Sequence, residues 1–204
     1  MNLLKKQRDA VGLSVYSDAY EFYTGEKGSE RHHRMILNKL EELLQTTVSN
    51  KKTDTVTFLH QIAENIHRRS MVILFTDMFQ YENEDKIFKA LQHLKHNKHK
   101  VVVFHVYDKK TEFHFDFNAS PRKFIDVETG ESIQLFSDNI KEAYEKQVEK
   151  YFKAVSDTCL QYKIQYVPVE IGENFDVNKI KKIVAGKKLW NYDNLEPTEK
   201  KGAI

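Results

Sequence analysis

"RRSMVILFTDMFQ", residues 68–80, decides how this chain is read. Met71 to Thr76 carry no charge and almost no polarity, and Asp77 follows at once. An unbroken apolar run of this length is the pattern of a strand covered on both faces, as in a parallel sheet. Asp77 then stands at the carboxyl end of that strand. There a carboxylate can be a turn residue, a helix cap, a metal ligand or a nucleophile, and the turn and cap roles are the common ones.

Working upstream, Asp54 or Thr53 can cap a helix with Phe58, Leu59, Ile62, Ala63 and Ile66 on one side. Ser29 can cap another over 30–45, with Ile36, Leu37, Leu40, Leu43 and Leu44 at inward positions. "VGLSVYS" (11–17) and "YEFYT" (20–24) read as strands joined at Asp18-Ala19. Downstream, Asn83 can cap a helix carrying Ile87, Phe88, Leu91 and Leu94. "VVVFHVY" (101–107) is a second doubly covered strand. Region 112–136 departs from the pattern as a β-hairpin around Thr129-Gly130. A helix over 138–162 has Ile140, Tyr144, Val148, Tyr151, Val155, Cys159 and Tyr162 as its stripe, with Glu142/Lys146 and Glu149/Lys153 outside. "QYVPVEI" (165–171) belongs at a sheet edge, because Pro168 cannot donate to a ladder. A short helix over 176–185 follows. The sum is an open, doubly wound, mostly parallel α/β sheet spanning 1–190, with 191–204 a loose tail. Ligands bind such sheets beyond the carboxyl strand ends, where Asp18, Asp77 and Asp108 sit.

The totals narrow the class. A chain of 204 residues suits one core. Its 32 basic and 30 acidic residues leave a net charge of +2, which makes no electrostatic case for nucleic acid or an anionic membrane. The single cysteine, Cys159, allows no internal disulfide and fits a cytoplasmic setting. No apolar run approaches the ~20 residues of a membrane span, and "MNLLKKQRDA" has no signal-peptide core. His93, His96 and His99, among Lys95, Lys98 and Lys100, read as a cationic helix end rather than a zinc site. His32, His33 and His67 read as solvated helix faces, His105 as a hydrogen-bonded core residue, and Cys159 as inert core. No nucleophile elbow, P-loop, G-x-G-x-x-G or cysteine cluster is present.

Thr53 and Asp77 remain as the candidate metal ligands. Thr53 opens the helix that feeds the Asp77 strand, so both can lie at one sheet edge. Hydroxyl and carboxylate oxygens suit a hard cation such as Mg²⁺, although two ligands are too few to hold it.

"VGLSVYSD", "KKTDT", "RRSMVILFTDMFQ", "LKHNKHKVVVFHVYD" and "FIDVETGE" together resemble the C-terminal half of a bacterial family. It is the von Willebrand factor A-like family catalogued as domain of unknown function 58. The resemblance runs from about Val11 to Ile171. It implies a metal-ion-dependent adhesion site made of an upstream Asp-x-Ser-x-Ser, a Thr and a strand-end Asp. Thr53 and Asp77 match the second and third parts, and the first has no counterpart here. The resemblance therefore implies a sheet lacking its first central strand, with Met1 expected to be an internal methionine. "VGLSVYS" would then close against "MVILFT", or the gap would be filled in trans, or the fragment would be unstable. The implied role is non-enzymatic. Mg²⁺ or Mn²⁺, weakly held or absent in this chain, is bridged to a partner's acidic side chain, and the implied partner is a MoxR-type ATPase. The alternatives are a Mg²⁺-dependent phosphoacceptor or phosphohydrolase-like enzyme using Asp77, and an inactive fragment.

Overall fold

The computed structural model describes residues 6, 8–16, 20–45, 55–77, 84–117, 122–125, 132–135, 137–172 and 177–184. Its elements are β1 (Val11–Tyr16), β2 (Tyr20–Lys27), α1 (Glu30–Gln45), α2 (Thr55–Asn65), β3 (Met71–Thr76), α3 (Glu84–His96) and β4 (Lys100–Asp108). There follow a π-type turn (Lys109–Phe113), β5 (Arg122–Ile125), β6 (Ser132–Leu135), α4 (Ser137–Gln161), β7 (Gln165–Ile171) and α5 (Val177–Val184). The tail 191–204 and the hairpin turn at Thr129-Gly130 lie outside the described residues.

A three-stranded parallel sheet in the order β3-β4-β7 is the centre of this α/β fold. Met71 pairs with Lys100 and Thr76 with His105; Val102 pairs with Gln165 and Asp108 with Ile171. Successive strands step the same way, so right-handed crossovers place α3 and α4 on one face. There Leu74, Val101 and Val103 bury against Leu59 and Ile62 of α2, Leu91 and Leu94 of α3, and Val155 and Cys159 of α4. The other face buries Val102, Phe104, Val167 and Val169 against Ile183 of α5. β4, covered on both sides, is buried from Val101 to His105. Among the described residues β7 pairs only with β4, so Pro168 lies at an edge, where its missing N–H costs nothing.

β3 departs from the reading of a doubly covered strand. Only Leu74 in it is buried, and Phe75 is 57% exposed. Among the described residues β3 pairs with β4 alone. α5 covers β4 and β7, leaving Met71 and Ile73 half-buried and Phe75 open. An apolar run states what a strand can bury, not that its neighbours are present.

β1 and β2 form a separate antiparallel hairpin, so "VGLSVYS" pairs with β2 and not with β3 among the described residues. α1 packs on this hairpin. The Ser29 side chain accepts the His32 N–H at 3.3 Å and its carbonyl the His33 N–H at 3.1 Å, as an N-cap should. The buried face of α1 is narrower than its apolar stripe. His32, His33 and Ile36 are buried, whereas Leu37 and Leu40 are exposed and Leu44 is 87% exposed. The two histidines are thus not solvated. His32 Nε2 lies 2.8 Å from the Val11 carbonyl and ties α1 to β1.

β5 and β6 pair antiparallel, which is the excursion expected within 112–136. Phe124 stacks on Phe115 at 5.2 Å, and Phe115 meets Tyr144 of α4 at 4.6 Å. On α4 the outer Lys146 Nζ approaches Glu142 at 2.6 Å. Cys159 is fully buried, and burial pushes its thiol up to about 12, so it stays an unreactive part of the core.

Candidate functional site

Asp77 is the first residue after β3 and is exposed. Thr53 lies outside the described residues. Three groups from three other elements sense the Asp77 charge: Tyr16 at the end of β1, His105 in β4, and Glu112 in the π-type turn. The carboxyl ends of β1, β3 and β4 therefore meet around this carboxylate.

Tyr16 rests on Phe58 of α2 with ring centroids 5.2 Å apart. A hydrogen bond joins its hydroxyl to the side chain of Thr55, the buried first residue of α2. Burial raises the Tyr16 phenol above its ordinary range, the Thr55 bond works against this, and the Asp77 charge adds to the rise. Among the described residues the hydroxyl that senses the Asp77 charge is therefore that of Tyr16, with Thr55 bonded behind it.

Behind Asp77 lies a buried histidine. His105 is fully inaccessible, and its Nδ1 is 2.6 Å from the Tyr166 hydroxyl of β7. Its ring stacks on Phe152 of α4 at 4.4 Å. Burial lowers it to about 4, against the opposing backbone and charge of Asp77. His105 is thus neutral, and one nitrogen is satisfied as a core histidine requires. Nε2 has no hydrogen-bond partner, an uncommon state for a buried polar atom.

Asp108 ends β4 and caps the π-type turn. Its Oδ1 accepts the Lys110 N–H at 2.8 Å and the Thr111 N–H at 3.0 Å. Glu112 reciprocates, its Oε2 accepting the Asp108 N–H at 2.8 Å. This is a capping box with one added residue, which the wider π-type turn requires. The Thr111 N–H, first among several donors, holds Asp108 below the usual carboxylate range. Burial pushes Glu112 up, and the charges of Asp108 and Asp77 push it further.

These carboxylates feel one another without converging. Among the described residues no three His, Cys, Asp or Glu side chains are placed to hold a metal ion. A Mg²⁺ ion takes about six oxygens in near-octahedral array, and Asp77 supplies one carboxylate. The described residues alone do not fit that cation.

Tyr16, Thr55 and Glu112 were not singled out from the sequence. Only Glu112 left a signal, four positions after a strand-end Asp. The three lysine-flanked histidines separate in the fold. His99 is buried, while His93 lies 3.0 Å, Nδ1 to Nδ1, from His60 of α2.

No helix among the described residues is long and apolar enough to cross a membrane. The model of one protein family, described as "Protein of unknown function DUF58", matches residues 1–153. No curated protein and no solved structure matches the chain.

Proposed function

We propose, from the premise that the chain belongs to the DUF58 family, that it is a non-enzymatic, von Willebrand A-like protein-interaction domain working through the Asp77 end of its sheet. The observation that supports this reading is the exposed Asp77 at the end of a strand that pairs on one side only among the described residues. β1 ends near the same carboxylate as β3, and among the described residues β1 pairs only with β2 and β3 only with β4. One further strand between them would join hairpin and sheet into a single six-stranded surface. The loop after such a strand would open beside Asp77 and could bring further oxygen ligands. Thr53 and Asp77 are the residues of this chain that would hold the cation, Mg²⁺ or Mn²⁺. Bound there, such a cation would offer an open position to a partner's carboxylate. The proposed partner, carried by the resemblance alone, is a MoxR-type ATPase.

A Mn²⁺ titration of this chain beside one extended upstream tests the incomplete site. Equal affinity in the two chains contradicts it. Co-purification with a MoxR-type ATPase tests the partner, and capture that survives Asp77→Ala contradicts a role for this carboxylate.

A second reading gains from Asp108 and Glu112. A phosphoacceptor carboxylate works best beside other acids that recruit Mg²⁺, and the Asp77 charge reaches Glu112, which is bonded to the Asp108 N–H. Incubation with a small phosphoryl donor and Mg²⁺, followed by intact mass, separates the readings. A phosphoryl adduct on Asp77 selects the enzyme, and its absence the binding domain.

A further inference from the structure

We infer that His60 and His93 form a transition-metal site, separate from the Asp77 end, that clamps α2 to α3. Their Nδ1 atoms lie 3.0 Å apart and their ring centroids 5.2 Å apart, tilted by 44°. Both residues are half-buried, so the pair is shielded but open to a small ion. At this separation two Nδ1–H groups cannot face each other. As neutral rings they share one N–H···N bond, with one Nδ1 protonated and the other presenting its lone pair.

A divalent ion can replace that bridge. The donor ring moves its proton from Nδ1 to Nε2, both Nδ1 lone pairs turn to the ion, and no proton is lost overall. Metal–imidazole bonds are about 2.0–2.1 Å long. Two nitrogens 3.0 Å apart then subtend about 94° at the ion, near the right angle of tetragonal Ni²⁺ or Cu²⁺ sites. A tetrahedral Zn²⁺ needs them spread to about 3.3 Å. The imidazole donors select this class over Mg²⁺, which prefers oxygen. Two protein ligands leave the remaining positions to water.

The helices are already held in the register this needs. One turn beyond the pair, Asn97 Nδ2 donates to the Ala63 carbonyl at 2.9 Å. α2 leads into β3 and α3 follows it, so the ion would bind together the two helices that flank the strand ending in Asp77.

Calorimetric titration of the full chain with NiCl₂ and ZnCl₂ tests this, using wild type, His60→Gln, His93→Gln and, as an exposed control, His67→Gln. One binding event is expected in wild type and His67→Gln and none in the other two, with matching circular dichroism throughout. Substoichiometric Cu²⁺ added to wild type provides a second readout if either variant misfolds. It should broaden the His60 and His93 ring resonances first. Uptake unchanged in His60→Gln and His93→Gln, no uptake by wild type, or broadening that starts elsewhere overturns the inference.

Discussion

The Tyr166 hydroxyl of β7 meets Nδ1 of His105 in β4 at 2.6 Å, and the imidazole is fully inaccessible to solvent. Burial holds His105 at about 4, against an ordinary 6.5. Between those values the unfolded chain binds a proton that the folded chain refuses, so stability falls as the pH drops. The contribution is whole above pH 6.5 and is lost on the way down through about 4; at most it amounts to roughly 3 kcal/mol. The expected outcome is that the stability gap between wild type and His105→Gln narrows from pH 7 to pH 4.5 in urea unfolding. A gap independent of pH would show that His105 titrates normally.

Tyr166→Phe removes the hydrogen-bond partner of Nδ1 of that ring. The variant leaves Nδ1 of a buried imidazole without its partner. A loss of about 1–3 kcal/mol is expected from this desolvated group. The urea midpoint reports it, and an unchanged midpoint would mean that the ring reorients to another acceptor.

Asp77→Asn is expected to lower the midpoints of Glu112 and Tyr16 while leaving the fold intact, because the Asp77 charge raises both and the side chain is exposed. Glu112, raised in the folded state, costs stability as it ionises, so the substitution relieves part of that cost above its midpoint. Carboxyl carbon resonances followed against pH give the measurement. Identical Glu112 titrations in the two proteins would remove it from the surroundings of Asp77.

Gly12→Ala strikes the hairpin. A Cβ there would stand 2.7 Å from the Thr24 carbonyl oxygen, a backbone atom that cannot swing aside. β1 and β2 must part or shift register around the bulge between Val11 and Leu13. The overpacking cost is about 1–3 kcal/mol. Amide exchange should quicken in β1 and β2 and stay slow in β4; uniform quickening would mean that the hairpin and sheet unfold as one unit.

Local pattern was legible in the sequence, and absent neighbours were not. The strands Met71–Thr76 and Gln165–Ile171 and the helix Glu30–Gln45 carry their own signals in apolar period, caps and Pro168. Asp77 was legible as a strand-end carboxylate for the same reason. The half-open β3 was not, because "MVILFT" reads alike whether one strand or two lie beside it. Leu37, Leu40 and Leu44 failed similarly, since helical spacing defines a face and a two-stranded hairpin covers only part of it. His32, His33 and His60 acquired their surroundings from β1 and α3, which no local spacing encodes. Glu112 became part of the site only through a turn that adds one residue to the usual cap.

The edge of β3 that has no partner among the described residues has a further consequence at high concentration. Its six residues combine strong β-propensity with no charge and no proline, the composition of segments that stack into cross-β fibrils. Arg68 and Arg69 stand just before it, where charged gatekeepers oppose such stacking. Beyond Thr76 the guard is a single negative charge, that of Asp77. The carboxylate argued over for its ligands would then also keep one copy's strand from adding to another's, and neutralising it should hasten clouding of a concentrated sample.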